Sequence, residues 1–579
     1  MSTDAEPFIA QRQVSKAELA LLPESLHPVL RRVYAARKVG MDELNPVLAR
    51  LIPVGTLSGA VTAARLLADA LEARQRIVVL GDFDADGATA AALAVSCLRR
   101  MGYFDVRYLV PDRFRFGYGL SPEIALLAAQ DTPDILITVD NGISSVAGVQ
   151  RANDLGMQVI VTDHHLPGRE LPAAACIVNP NLPDEAFASK NLAGVGVAFY
   201  VMAALGRELA SRQLIDAKRA SAVVADTIDL VALGTVADLV PLDFNNRILV
   251  AEGLRRIRAG KTRPGIEALF SVAARDARAA GSADLGFAIA PRLNAAGRLT
   301  DMSLGIECLL ATESGPAISA ARKLDALNVE RRELQARMES EARDCVDRMR
   351  TELAADANGY CLFDEQWHEG IVGLVASRIK DAVGRPVFAF APAAEDGLLK
   401  GSARSIDGIH IRDVIDAVAT RNPGLVLGFG GHAMAAGLSL GADRLDEFRS
   451  AVDAELGAWR DALERPDVIW TDGELAAGDL SLDFAQELGR GGPWGQRFPE
   501  PVFSNAVEII ETRLLKDRHL KMRVRVPGDS QIIDAIAFNQ TDIPGADQSG
   551  RVRFVYRLQV NEFRERLSQQ LVVQHMQSD

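Results

Sequence analysis

Three aspartate clusters each stand directly after a short apolar run. Ile77-Val78-Val79-Leu80 leads into Gly81-Asp82-Phe83-Asp84-Ala85-Asp86-Gly87. Residues 135–139 lead into Asp140-Asn141-Gly142, and residues 158–162 lead into Asp163-His164-His165. So many carboxylates in one place repel one another unless cations sit between them. Oxygen donors with one or two imidazoles suit Mg2+ or Mn2+ better than the thiolate-rich sites of structural zinc. The chemistry this points to is metal-assisted attack of water on phosphate.

The apolar runs have the length and β-branched content of buried parallel strands, with helix-like stretches between them. In an open α/β sheet, ligands bind beyond the carboxyl ends of the strands. That placement predicts Asp82, Asp84, Asp86, Asp140, Asp163 and His164 on one rim. Three other readings explain less of the chain. An EF-hand loop needs a bidentate Glu at its twelfth position, where Leu93 stands. The nucleophile loop of haloacid dehalogenases accounts for Asp84-x-Asp86 alone. A solvated turn accounts for Asp163-His164-His165 alone. Gly260-Lys261-Thr262 lacks the first glycine of a phosphate-binding P-loop, with Arg255 in its place, and Gly194-Val195-Gly196 lacks the third glycine of a dinucleotide fingerprint.

The second half carries candidate anion sites. Gly428-Phe429-Gly430-Gly431-His432 lets a backbone approach a phosphate closely. Ser402 and Arg404, in Lys400-Gly401-Ser402-Ala403-Arg404, offer a hydroxyl and a guanidinium that can fork onto phosphate oxygens. Together with Arg113 and Arg298 they predict an anion pocket facing the metals. Further on, Lys521-Met522-Arg523-Val524-Arg525-Val526 alternates basic and apolar, so Lys521, Arg523 and Arg525 share one sheet face. Phe538, Phe554 and Tyr556 follow as candidates for stacking bases. The plain alternative is a solvated face over core aromatics.

At 579 residues the chain is expected to form two to four domains. Its hydrophobic fraction of 48% and charged fraction of 24% are those of a folded soluble protein. The start shows no basic and apolar leader pattern, and no apolar run approaches the ~20 residues that span a bilayer. Five scattered cysteines read as reduced thiols in a cytoplasmic protein. A net charge of −13 argues against coating nucleic acid by global charge, though not against a local basic channel.

Residues 1–70 look helical without a motif, and Arg31-Arg32 and Arg37-Lys38 read as a solvated face. Residues 71–245 alternate strand and helix, with a buried helix over 221–236 ending near Asp238. Residues 246–355 read as a helical connector. Within it, Leu327, Leu334, Met338, Ala342, Cys345, Met349 and Leu353 fall on one face of a helix about 55 Å long. Its many charges favour a helix that joins two domains. Residues 356–460 alternate again, more briefly, and residues 461–579 turn strand-rich.

These motifs carry a resemblance. Residues 81–87, Asp140-Asn141-Gly142, Asp163-His164-His165 and Leu233-Gly234-Thr235-Val236-Ala237-Asp238 look like the four motifs of the DHH phosphoesterase superfamily. Residues 292–298, His368-Glu369-Gly370-Ile371-Val372-Gly373 and residues 430–437 are similar to further motifs of its single-stranded-DNA exonuclease branch. The resemblance implies an α/β fold: a parallel-sheet DHH catalytic domain, a long connecting helix, a smaller α/β DHHA1 domain and a β-rich OB-fold. It implies 5′-to-3′ exonuclease activity on single-stranded DNA, releasing 5′-mononucleotides with two Mn2+ or Mg2+ ions, in recombination and repair. Asp84, Asp86, Asp140, His164 and Asp238 are then the metal ligands, with Asp140 bridging. Leu80 stands where much of the superfamily has a histidine, which makes Asp82 the candidate to complete the first metal's set. Asp163 orients the shell, and His165 joins the catalytic group. Arg113, Arg298, Ser402 and Arg404 hold the 5′-terminal phosphate, and His432 supports a phosphate near the metals. Lys521, Arg523 and Arg525 carry the strand. The family also implies a monomer that works with single-stranded-DNA-binding protein and a RecQ-type helicase, away from membranes. Two rivals are a DHH phosphoesterase acting on nanoRNA or cyclic dinucleotides, and a non-catalytic single-strand-binding scaffold. The C-terminal strand domain argues against the first and the intact ligand set against the second.

Overall fold

The structure is a computed structural model. It describes all residues except 1–6, 113–115, 117–118, 353–356, 394, 460–467, 544–550 and 564–565, and omits the side chains of 349–352 and 563. Arg113 and Leu353 therefore lie outside the described residues.

The apolar runs form one five-stranded parallel sheet. Its order is Val106–Leu109, Ile77–Leu80, Ile135–Val139, Gln158–Thr162, Cys176–Val178. Leu80 pairs with Leu109 on one side and Thr138 on the other, and Val139 pairs with Thr162. The second strand in sequence lies to one side of the first, and the third lies to the other. The chain order thus reverses between Ile77–Leu80 and Ile135–Val139, which opens a crevice beyond their carboxyl ends. The loops 81–87 and 140–142 leave the sheet at that crevice. Helix Ala85–Met101 is buried along nearly its whole length, its sides covered by small and aliphatic residues such as Ala88, Ala91, Leu93 and Val95. The expected single helix over 221–236 is two helices, Ala217–Ala225 and Ile228–Ala237, broken at Asp226-Thr227. The second ends at Ala237 with Asp238 as its C-cap, near the expected end.

Helix Ser314–Glu352 joins two cores. Ala317, Ala321 and Leu324 pack into the parallel-sheet core. Met338, Ala342 and Val346 pack against Trp367, Ile371 and Val375 of the next one. That second core lies under a sheet ordered Gly428–Gly431, Ala435–Gly441, Leu398–Arg404, Val387–Pro392, Tyr360–Phe363, antiparallel except for its last pair. The C-terminal strands Phe503–Leu515, His519–Arg525, Ile533–Ala537, Arg566–Ser578 and Arg551–Phe563 close a barrel in that order.

The N-terminal residues do not form one helical body. Phe8–Gln11 is a strand paired in parallel with Val468–Thr471. Val29, Leu30 and Val33 join the barrel's core, whereas Leu57 and the helix Ala60–Glu72 join the parallel-sheet core. Nor are the early arginines a solvated face. Arg37 forks onto the buried Asp472 at 2.8 and 3.0 Å, and Arg32 donates to the Glu474 carbonyl at 2.9 Å. The groups that hold these arginines, a carboxylate and a backbone carbonyl, lie more than 430 residues away in sequence.

Candidate active site

The first loop is built around backbone donors. Asp84 caps helix Ala85–Met101, its Oδ1 accepting from the amides of Asp86 at 2.9 Å and Gly87 at 3.0 Å. Asp86 is buried and accepts from Gly194 N at 2.6 Å and Val195 N at 3.0 Å, at the start of helix Gly194–Ser211. Those amides are orphan donors of the helix and favour a negative charge there. The clamp comes from helix Ala290–Leu299: Asn294 Oδ1 accepts from Ala85 N at 2.8 Å, and a Cβ on Gly297 would lie 1.7 Å from the Phe83 carbonyl oxygen.

Asp140 leaves its strand with φ 62, a left-handed conformation that costs an ordinary residue about 1 kcal/mol and that Asp tolerates better than most. Its amide donates to Thr162 O at 3.0 Å. A Cβ on Gly194 would come within 2.4 Å of the Asp140 Cβ, so glycine there is what lets the helix end meet the aspartate. Gly234 does the same for Asp86, where a Cβ would lie 2.8 Å from Oδ1.

His164 Nε2 lies 3.1 Å from Asp140 Oδ1 and 3.5 Å from Asp238 Oδ2. Asp163 points away from them. Its Oδ1 accepts from His164 N at 2.7 Å and His165 N at 3.1 Å and meets His165 Nδ1 at 2.7 Å, while Oδ2 accepts from Ile143 N at 2.9 Å. Asn181 and Asn179 hold the carbonyls of His164 and His165. Three sets of donor atoms lie within 4.8 Å of one another: Asp82 with Asp84 and Asp140, Asp140 with His164 and His165, and Asp86 with His164 and Asp238. Asp140 and His164 each belong to two of them. Leu80 is buried and takes no part.

The charges strain against one another. Burial, then the neighbouring Asp84, pushes Asp86 up to about 7. Burial and then the other carboxylates push Asp140 and Asp238 well above the ordinary range. Burial and the nearby His165 hold His164 down to about 3, so it is neutral and free to donate a lone pair. Among the described residues, His164 Nε2 and Asp238 Oδ2 are buried and, apart from their close approach within the cluster, find no hydrogen-bond partner. A buried carboxylate cluster with neutral imidazole and unpartnered donor atoms is a fit for hard divalent cations.

The anion candidates gather across the cleft from this cluster. Arg298 Nη1 donates to Gly370 O at 3.1 Å. Three residues on, a Cβ on Gly373 would lie 2.8 Å from Arg404 Nη2 and 2.9 Å from Ser402 Oγ. Arg404 itself donates to Ser402 Oγ at 2.8 Å, and burial lowers its pKa. Among the described residues no carboxylate pairs with it. His432, on the turn between Gly428–Gly431 and Ala435–Gly441, brings its ring to 6.5 Å from that of His165.

Residues 76–235 match the DHH family, N-terminal domain, residues 356–458 the DHHA1 domain, and residues 471–575 the RecJ OB domain. The single-stranded-DNA-specific exonuclease RecJ of Dickeya dadantii (strain 3937) is 52% identical over 563 residues, covering 96% of this chain and 97% of that one. The chain belongs to the RecJ family. The RecJ of Escherichia coli (strain K12) is 48% identical, over 96% of this chain and 97% of that one. The crystal structure of RecJ in complex with Mn2+ from Thermus thermophilus matches with a TM-score of 0.80 and 29% identity, covering 99% of this chain and 79% of that one.

The barrel departs from the sequence reading. Lys521, Arg523 and Arg525 do share an outer face, but each meets an acid of a neighbouring strand: Asp534 at 2.9 Å, Glu511 at 3.3 Å and Glu508 at 2.6 Å. Phe554 and Tyr556 are fully buried in the barrel core, with Tyr556 Oη bonded to Asn505 Oδ1 at 2.7 Å, so neither stacks a base. Phe538 alone of the three is exposed, at 53%. Gly194, Gly234 and Asn294 are site residues that the sequence does not single out. Gly194 is visible there only as a failed nucleotide fingerprint, and Gly234 only as a motif letter.

Proposed function

We propose that this chain degrades single-stranded DNA from its 5′ end, releasing 5′-mononucleotides, with two Mn2+ or Mg2+ ions. The observation that carries the reading is the shared cluster, in which Asp140 and His164 each serve two donor sets at the sheet's switch point. RecJ family membership supports the substrate class. Asp82, Asp84, Asp86, Asp140, His164 and Asp238 would hold the ions, Asp140 and His164 each standing in two of the donor sets. When bound, the ions supply Lewis acidity toward water and toward the phosphate oxygens.

The side chains do the positioning. Asp163 fixes the His165 ring through its Nδ1, so the other nitrogen faces the cleft. Burial works against a proton on His165, but the bond and charge of Asp163 prevail and raise its pKa. That makes His165 a donor toward a phosphoryl oxygen, with His432 opposite it. Arg404, Ser402 and Arg298 hold the 5′-terminal phosphate, which sets the polarity of cutting. Reduced, mostly buried cysteines support a cytoplasmic location. Family membership supports a monomer acting beside single-stranded-DNA-binding protein and a RecQ-type helicase in recombination and repair.

The test is a digestion of long single strands labelled at one end. Release of mononucleotides from the 5′ end, dependent on Mn2+ or Mg2+, is expected. Release from the 3′ end, or cleavage of dinucleotides alone, contradicts the reading.

A further inference from the structure

One short helix reaches both halves of the candidate site. Asn294, Gly297 and Arg298 stand at i, i+3 and i+4 of helix Ala290–Leu299, so they share a face. Asn294 Oδ1 accepts from Ala85 N at 2.8 Å, and Gly297 stands bare against the Phe83 carbonyl. One turn on, about 6 Å along the axis, Arg298 Nη1 donates to Gly370 O at 3.1 Å. A Cβ on Gly370 would lie 2.4 Å from the Arg298 carbonyl oxygen, so backbone meets backbone there too. Gly373, in the next turn, abuts Arg404 and Ser402. The contacts run without a break from the metal loop, through this helix, to the candidate pocket for the terminal phosphate.

The Asn294 contact bears directly on a metal ligand. Ala85 N is an N-terminal amide of helix Ala85–Met101 and has no acceptor within that helix. Asp84 Oδ1 already takes the amides of Asp86 and Gly87, and the Asp84 carbonyl takes Ala88 N at 2.9 Å. With Ala85 N held by Asn294, the other carboxylate oxygen of Asp84 is left for the donor set formed with Asp82 and Asp140. Without Asn294, the buried amide draws on that same carboxylate, and Asp84 turns from ligand into cap. The helix itself is tied down outside the site. Arg292 pairs with Asp325 of the connecting helix at 2.9 Å, and Leu299 packs against the second core. It begins on a π-helical turn, Leu285–Ile289, a form that occurs mostly at functional sites.

We propose that Asn294 is a positioning residue that couples the two subsites. A 5′-phosphate seated on Arg298 and Arg404 fixes the helix where Asn294 clamps the metal loop, and so tightens binding of the divalent cation. The proposal rests on the nuclease reading above. Such linkage is reciprocal, so the cation tightens the terminal phosphate by the same factor.

The test uses the full chain with thymidine 5′-monophosphate, which carries the terminal phosphate but no bond to cut. Thymidine is its control. Calorimetry measures Mn2+ binding alone and with each compound, for wild type, Asn294→Ala, Asn294→Leu and Asn294→Asp. Asn294→Leu keeps the volume and removes the acceptor, which gives a second loss variant should Asn294→Ala fail to fold. Thymidine 5′-monophosphate is expected to tighten Mn2+ about fivefold or more in wild type, the low end of linkage between sites, and thymidine not at all. Both loss variants are expected to bind Mn2+ about 10- to 100-fold more weakly, as lost partners of metal ligands do, and to lose the nucleotide effect. Asn294→Asp keeps an acceptor for Ala85 N and keeps the effect. Melting in chelator, with and without the nucleotide, checks that each variant is folded and still takes it. Equal tightening in wild type and a folded loss variant overturns the coupling, because the phosphate then acts by charge alone. No tightening in wild type overturns it too. Either result leaves the nuclease reading in place where wild type still digests single strands from the 5′ end. A wild type that binds no Mn2+ or cuts no single strand overturns the nuclease reading itself, and the coupling with it.

Discussion

The rings of His165 and His432 lie within 16° of parallel with centroids 6.5 Å apart, although one belongs to the parallel-sheet domain and the other to the smaller sheet. The cleft is thus faced by imidazole from both sides. His432→Ala is expected to lower turnover roughly 100-fold, the scale of losing one donor to a developing oxyanion. Mn2+ affinity should be unchanged, because His432 belongs to none of the donor sets. Steady-state cleavage alongside calorimetric Mn2+ binding checks this. Wild-type turnover removes His432 from the chemistry.

Asp163 acts through its neighbours. Its two oxygens take three amides and one imidazole, so they orient both histidines at once. Asp163→Asn should weaken Mn2+ binding about 10- to 100-fold, as lost partners of metal ligands typically do. Unchanged Mn2+ affinity in a folded variant contradicts that role.

The proposed hold of Arg404 on the 5′-terminal phosphate predicts terminal discrimination. A charge-assisted hydrogen bond to a phosphate contributes about 1.5–3 kcal/mol. Arg404→Ala should therefore weaken binding of 5′-phosphorylated strands about 10- to 150-fold and of 5′-hydroxyl strands far less. Equal losses on both would make Arg404 a general backbone contact.

The legible part of this molecule is what a strand end or a period reveals. The β-branched runs foretell the parallel sheet, and its switch point explains why Asp86 and Asp140 meet. The phase of Leu327, Leu334, Met338 and Ala342 foretells the face of the joining helix. Contacts between distant segments are not legible. Nothing near Arg37 signals Asp472, and nothing near Lys521 signals Asp534. Phe554 and Tyr556 are misplaced by the sequence reading because alternation tells that two residues share a face, not whether that face turns inward. Gly194 shows its purpose only when Asp140 lies against it.

That contact makes a sharp prediction. Gly194→Ala places a methyl where Asp140 Cβ and Oδ1 already sit, 2.4 and 2.6 Å away. The variant should lose most activity, and its Mn2+ affinity should fall with it. Wild-type Mn2+ affinity would mean that Asp140 does not need this close approach.

Stability of the metal-free chain should depend on pH through Asp86. Its ordinary value of 3.8 is raised to about 7 in the fold, by burial first and Asp84 second. Between those values the folded state keeps a proton that the unfolded state has released, so stability falls as pH rises from about 4 to about 7. Asp140 and Asp238 act in the same direction. In chelator, the melting temperature of Asp86→Asn minus that of wild type should therefore grow over this range, and Mn2+ should restore the wild type. A difference independent of pH contradicts the charge strain.

The central claim is that Asp140 joins two donor sets into one catalytic centre. The direct measurement is hydrolysis of a 5′-phosphorylated single strand in Mn2+ by wild type and Asp140→Ala, with thermal melting of both in chelator. Wild type should release 5′-mononucleotides and the variant should show no detectable turnover, with a metal-free melting temperature at least as high as that of wild type. Turnover near the wild-type rate in a folded Asp140→Ala chain would contradict the claim.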